Sequence, residues 1–264
     1  MLKGYCLPLT PEGKASLAEP TTHYYGGTII CVDYRADEEK LRAFLPEGLE
    51  SLDGRCLAMV NDFICVGEDD KNMAFNNPAR TQYKEGLLGI RCSFEGLQGT
   101  YYPYLWVTKD WSMIYGWFFG WGKKIGEVWM TRIPKLNPAI KPLGIGSKLK
   151  GIVARAGYRL MEATVEIDKK EKPADLPNFG VIFQVRHFPR IGVQIPEIHQ
   201  LIQVTSKDVR FSDAWSGKAT LKLFSSDNEE FEAFEPIEIV RGYYYNMGWE
   251  GHTAKVLKDY SIEE

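Results

Sequence analysis

A chain of 264 residues with 44% apolar and 13% aromatic content can bury a large core, as one big β domain or as two ordinary ones, and it is neither disordered nor collagen-like. Its 32 basic and 35 acidic residues leave a net charge of −3, which supplies no basic field to hold nucleic acid or an anionic membrane. The stretch MLKGYCLPLTPEGK lacks the apolar core of a signal peptide, and no apolar run approaches the roughly 18–20 residues that cross a bilayer, so a cytoplasmic protein is expected.

In chain order the signal is mainly strand. GGTIICVDYR (26–35) is a β-branched run, followed by ADEEKLRAFLPEGLE (36–50) as a short helix with Asp37 as N-cap and Pro46 near its end. RCLAMVNDFICVG, IRCSFEGL, TYYPYLWVT, YRLMEATVEID, NFGVIFQVRHF, ATLKLF and IEIVRGYYY then read as strands, punctuated by Gly, Pro, Asn and Asp. So many short strands suggest a barrel or sandwich. Residues 68–82 and 168–178 are polar, proline-bearing and expected to be long surface loops. Residues 133–150 are proline-broken and basic.

Several motifs carry little. The cysteines Cys6, Cys31, Cys56, Cys65 and Cys92 are odd in number and never spaced as C-x-x-C, which reads as small core residues rather than a disulfide framework or zinc site. LGIGSKLKG (143–151) fits neither glycine-loop consensus and reads as a plain turn. His23, His187, His199 and His252 are isolated, without the paired spacing of a metal site. No serine sits in a G-x-S-x-G elbow.

GWFFGWGKKIGE (116–127) stands out because two lysines close a run of aromatics and glycines. If residues 117–127 are extended, Trp117, Phe119, Trp121, Lys123, Ile125 and Glu127 share one face and Phe118 and Lys124 the other. An ammonium pressed among aromatic rings loses hydration, which favours its neutral, nucleophilic form. The same spacing also fits an ordinary core face from which Lys123 reaches to water at the strand end.

The segment WGKKIG resembles the reactive-lysine segment of the acetoacetate decarboxylase family, with Gly122 where that family commonly has proline. VDYRADEEKLRAFLPEGLE, YKEGLLGIRCSFEGLQGTYY and DAWSGKATLKLF followed by PIEIV are similar to that family in the same order. The resemblance implies a single domain over residues 1–264, mainly β (α+β), an antiparallel β-barrel or double sheet with a few short helices, assembled as a homo-oligomer. It implies that Lys123 is the Schiff-base lysine, Lys124 its cationic neighbour tuning it, and Glu85, in YKEG, the active-site glutamate that moves protons. Trp117, Phe119 and Trp121 would line the pocket. No metal or organic cofactor is required.

Two family positions depart from this pattern. An arginine early in the first strand and a second glutamate are replaced by Gly27 and Asn61, which changes how a substrate carboxylate is recognised. Asn61 and, from GYYYNMGW (242–249), Tyr243 and Tyr245 are candidate substrate-binding residues. The expected function is that of a lyase forming a Schiff base with a small oxo acid, leaning toward aldol addition of a pyruvate enamine to an aldehyde followed by loss of water. Decarboxylation of acetoacetate or another 3-oxo acid, and non-catalytic binding of a small apolar ligand, are the alternatives.

Overall fold

A computed structural model describes residues 1–134 and 136–261. It is built from eleven strands and three short α-helices: β1 His23–Arg35, α1 Glu38–Arg42, β2 Glu50–Gly67, α2 Met73–Asn76, β3 Gln82–Phe94, β4 Leu97–Val107, α3 Asp110–Phe118, β5 Lys123–Ile125, β6 Glu127–Met130, β7 Lys148–Arg155, β8 Tyr158–Lys170, β9 Val181–Pro189, β10 Pro196–Leu223 and β11 Glu238–Asp259. Helix α1 begins where expected: the Asp37 carboxylate accepts from the backbone N–H groups of Glu39 and Lys40 at 3.1 and 3.3 Å, satisfying donors that the first turn leaves unpaired. Among the described residues no helix is long and apolar enough to cross a membrane.

The strands follow the order β11-β1-β2-β3-β4-β9-β10, and a further pairing of β10 with β11 closes the ring into a barrel. The second half of β10 pairs with β8, from which β7 and β6 continue outside the ring. Most pairings are antiparallel, but β4 pairs in parallel with both β5 and β9, so the sheet is mixed rather than purely antiparallel.

Side-chain alternation along these strands sorts residues into two cores. Ile29 and Cys31 point into the barrel with Leu57, Met59, Phe63, Leu87, Leu105 and Tyr245. Ile30, Val32 and Tyr34 point outward and pack with Val60, Leu88, Trp106 and the inner faces of β7 and β8, including Val153, Leu160 and Met161. Strands buried on both faces in this way read as near-continuous apolar runs, as IICV and LLGI do. Cys31, Cys56 and Cys65 are buried in these cores and Cys92 in a smaller cluster with Leu49, Phe183 and Leu201, as expected of small apolar residues.

Three stretches differ from expectation. Residues 68–82 hold short helical turns, including α2, before β3 begins. Strand β8 runs on to Lys170, shortening the second loop. Much of β10 and all of β5 and β6 carry polar, glycine-rich or very short sequences whose alternation is weak, whereas β7 alternates, with Leu149, Gly151 and Val153 buried.

Candidate active site

Residues 117–127 are not one strand. Helix α3 ends at Phe118, the chain turns through residues 119–122 with Gly120 at φ +71°, and only Lys123–Ile125 pair with β4. Trp117 therefore lies on the helix, 42% exposed and outside the cavity; its indole N–H donates to the Lys123 backbone carbonyl at 2.9 Å. Phe119 and Trp121 do line the cavity. Helix propensity explains the difference poorly, since DWSMIYGWF is rich in β-favouring aromatics. A tertiary contact explains it better: a Cβ on Gly116 would sit 2.6 Å from Cδ of Lys123, so this turn of α3 presents bare backbone on which the lysine stem lies.

Alternation holds within β5. Lys123 is registered beside Leu105, a barrel-interior residue, and Lys124 beside Trp106, which faces the outer core. The Lys123 side chain is 11% exposed and that of Glu85 10%. Nζ of Lys123 donates to Oγ of Ser112, from α3, at 3.2 Å and lies 3.4 Å from Oε2 of Glu85 and 5.7 Å from the Tyr83 ring centroid. Glu85 on β3 is registered opposite Asn61 on β2, whose Nδ2 donates to Oε1 at 3.3 Å. Oε2 is buried without a hydrogen-bond partner and is left to the amine. The fold thus brings Lys123, Glu85 and Asn61 together.

Lys124 is placed on the opposite side of the sheet. Its Nζ donates to Oε2 of Glu229 at 2.6 Å and sits 5.5 Å from the Tyr104 centroid, while Oε1 of Glu229 accepts from Nε1 of Trp106 at 3.1 Å. The charge of Lys124 is matched there rather than directed at Lys123. Tyr245 is buried in the barrel interior and faces a neighbouring cavity, whereas Tyr243 packs against the same core; neither lines the lysine cavity.

That cavity measures ≈ 130 Å³. Aromatic rings form much of its wall, with Tyr25 stacked on Trp249 at 4.7 Å and Phe63 edge-on to Trp249 at 5.2 Å. Burial pushes the Tyr25 and Tyr83 phenols well above their usual range, so both are neutral donors. Among the described residues lining it, Lys123 and Glu85 are the charged pair. Gly27 leaves no room for a side chain: a Cβ there would lie 2.1 Å from the Asp62 carbonyl oxygen and 2.4 Å from Cδ1 of Phe63.

His252 and Ser206 also line the cavity, and neither is recognisable from motif spacing. The readable signal is Gly251, at φ +48°: the β10–β11 register slips between Thr205 and Lys207, and such a bulge re-aims the next side chain. Nδ1 of His252 lies 3.2 Å from Oγ of Ser206. Desolvation among aromatic rings, then the nearby Lys123 and His23, lower the His252 pKa to about 3, so its imidazole is neutral at physiological pH. His187 and His199 face each other across β9 and β10, with ring centroids 4.8 Å apart. Among the described residues, no group of three or more His, Cys, Asp or Glu is placed to hold a metal ion.

Comparison with known proteins bears on this geometry. The acetoacetate decarboxylase (ADC) family model matches residues 6–261. An acetoacetate decarboxylase-like enzyme from Sphingomonas wittichii RW1 superposes with a TM-score of 0.91 at 33% identity, covering 97% of this chain and 100% of its own. The enduracididine biosynthesis enzyme MppR, complexed with the condensation product of pyruvate and imidazole 4-carboxaldehyde, superposes with a TM-score of 0.90 at 30% identity, covering 99% and 98% of the two chains. A curated acetoacetate decarboxylase of Clostridium botulinum (strain Eklund 17B / Type B) is 25% identical over 261 residues, 95% of this chain and 94% of its own length.

Proposed function

The chain belongs to the acetoacetate decarboxylase family and is a lyase, and from that premise we propose that it is a Schiff-base aldolase-dehydratase that joins pyruvate or a similar 2-oxo acid to an aldehyde. The observation that carries this reading is the placement of the Lys123 amine, its side chain 11% exposed, beside Glu85 and Ser112 in an aromatic-lined cavity. The Lys123 amine, once neutral, adds to the oxo carbon. Loss of water gives an iminium, a better electron sink than the carbonyl. Glu85 takes up a proton from the adjacent methyl carbon, leaving an enamine. The enamine carbon attacks the aldehyde carbon, the carbonyl electron pair moves onto oxygen, and that oxygen takes a proton. A further proton on the hydroxyl, with loss of one from the neighbouring carbon, expels water and creates the double bond. Hydrolysis frees Lys123 and an unsaturated oxo acid.

Two observations favour this reading over decarboxylation. Loss of carbon dioxide requires the carboxylate to be held so that its bond to carbon overlaps the iminium, and misplacing a reacting group can cost about 10²-fold. Gly27 offers no side chain for that task and Asn61 is engaged with Glu85. MppR, a structural relative at 30% identity, holds a pyruvate–aldehyde condensation product. The curated relatives favour the second reading, decarboxylation of a 3-oxo acid.

One assay pair separates them. Pyruvate with an aromatic aldehyde is expected to produce a new near-ultraviolet band from the unsaturated oxo acid, with slow carbon dioxide release from acetoacetate. Fast release with no aldehyde-dependent product makes the protein a decarboxylase. Borohydride in the presence of oxo acid is expected to fix a covalent adduct; a protein that only binds apolar ligands forms none.

A further inference from the structure

A second cavity of ≈ 650 Å³ lies beside the lysine cavity. Met59, Tyr102, Ile182, Ser206 and Met247 line both, so the two cavities abut at these side chains. Among the described residues lining the second cavity none carries a formal charge, and Leu176, Phe179, Val204, Val209 and Phe211 give it an apolar wall. Part of that wall, residues 173–181, is tied down: the Phe179 carbonyl accepts from the Thr100 hydroxyl at 2.9 Å and from the Arg91 guanidinium, which also donates to the Gly99 carbonyl at 3.0 Å.

We propose that this annex opens onto the lysine cavity past the side chains that the two share and binds the second substrate, an uncharged aldehyde with an apolar chain or ring, and that the Ser206 hydroxyl at the junction receives its carbonyl oxygen. The inference rests on the Schiff-base reading and adds the substrate class to it. At ≈ 130 Å³ the lysine cavity is smaller than the roughly 300–1,000 Å³ common for small-molecule pockets and suits a short oxo acid, whereas the annex falls within that range. A carboxylate or phosphate on the aldehyde would lose part of its hydration there without a cation in return, a fraction of the several kcal/mol that a fully buried unpaired ion costs, since Val209 and Phe211 in the wall are 42% and 40% exposed. Apolar groups incur no such penalty.

Ser206 and Tyr102 are the hydroxyl-bearing side chains common to both cavities, and Ser206 is the one in contact with His252. In the tautomer of neutral His252 that carries its proton on Nδ1, 3.2 Å from the serine oxygen, the ring donates to Ser206 and the serine proton is free to point at the oxygen on which charge develops as the carbon–carbon bond forms. The same proton donor stands beside the hydroxyl that later departs as water.

The test compares benzaldehyde with 4-carboxybenzaldehyde, each with pyruvate. The wild-type kcat/KM ratio is expected to favour benzaldehyde by about 10²-fold. Val209→Lys places a cation in the annex and is expected to reduce that ratio by about tenfold or more; the ratio is insensitive to a general loss of active protein. Ser206→Ala is expected to reduce kcat by about 10²-fold, the scale of one lost oxyanion donor, with a smaller change in aldehyde KM. Calorimetric binding of the unreactive 3-phenylpropan-1-ol reads the annex without any imine and is expected to weaken in Val209→Lys. If that binding weakens while pyruvate gives no borohydride adduct, the Schiff-base reading falls and the annex stands as an apolar binding site. Equal use of the two aldehydes, or a Val209→Lys variant with unchanged ratio and unchanged alcohol binding, overturns the inference.

Discussion

Glu85 presents to Lys123 the one carboxylate oxygen that has no hydrogen-bond partner, at 3.4 Å, while its other oxygen is held by Asn61 at 3.3 Å. The carboxylate is thereby fixed in rotation with a free acceptor aimed at the amine. Replacing it by an amide keeps the shape and removes the basic oxygen. Glu85→Gln is expected to form the borohydride-trapped pyruvate adduct but to lose about 10²–10⁴-fold in turnover, the usual contribution of a positioned acid or base. Turnover within a few-fold of wild type would return Glu85 to a structural role.

The adduct itself locates the nucleophile. Mass spectrometry after pyruvate and borohydride is expected to place the added mass on Lys123, absent in Lys123→Ala and present in Lys124→Ala. An adduct confined to Lys124 contradicts the placement of the two side chains on opposite faces of the sheet.

Lys124 matters to stability instead. Glu229 is 1% exposed and Lys124 35% exposed at the side chain. Removing one partner of a fully buried pair costs about 3–5 kcal/mol, and the partial solvation of Lys124 reduces this to roughly 2–3 kcal/mol for Lys124→Met. Urea melts at neutral pH measure it. Lys124→Met with Glu229→Gln is expected to recover part of the loss, because no unpaired carboxylate remains.

Gly27 is expected to be unforgiving in the same measurement. A Cβ there would meet a backbone oxygen at 2.1 Å, which a neighbour cannot relieve by changing rotamer. Gly27→Ala is expected to cost at least about 1–3 kcal/mol, the scale of core overpacking. Gly27→Arg is expected to be poorly folded, with no gain of acetoacetate decarboxylation; a soluble, faster decarboxylase would show that the position is open to a side chain after all.

His252 gives stability a pH dependence of definite sign. Its folded pKa of about 3 lies below the ordinary 6.5, so above pH 6.5 the group is neutral in both states and contributes nothing. Between 6.5 and 3 the unfolded chain binds the extra proton, and stability falls by about 1.4 kcal/mol per pH unit. Burial, Lys123 and His23 all act in this direction. Chemical melts at pH 7 and pH 5 are expected to show a loss about 2 kcal/mol larger in wild type than in His252→Asn. Equal losses would mean that the ring is solvated.

Much of this was legible in the sequence because it depends on local pattern. IICV, RCLAMV and LLGI are apolar on both faces, and the strands they form are buried on both faces. The DEEK stretch carries its own cap at Asp37. The lysine pair needed only the alternation of three residues to divide between two faces. What stayed hidden depends on contacts distant in sequence. The extended reading of residues 117–127 takes in the last turn of helix α3, whose place is set by Lys123 lying across Gly116; that reading also put Trp117 in the pocket. His252 is re-aimed by the bulge at Gly251 and completed by Ser206, 46 positions away. The tyrosine triplet carries the right alternation, but the cavity begins beyond it on the same strand, at Met247 and Trp249.

Strand β5 is only three residues long, and a strand that short has little to hold its phase. A slip of one residue against β4 would exchange the two amines, turning Lys123 out of the cavity and Lys124 into it. Glu229, buried and already bonded to Trp106, accepts a cation from one direction. Its pairing with Lys124 therefore opposes the slip that would bring Lys124 beside Leu105 and into the cavity, because Ile125 would then lie beside Trp106 against an uncompensated carboxylate. The second lysine, on the far side of the sheet, thus helps to hold the first one facing the cavity.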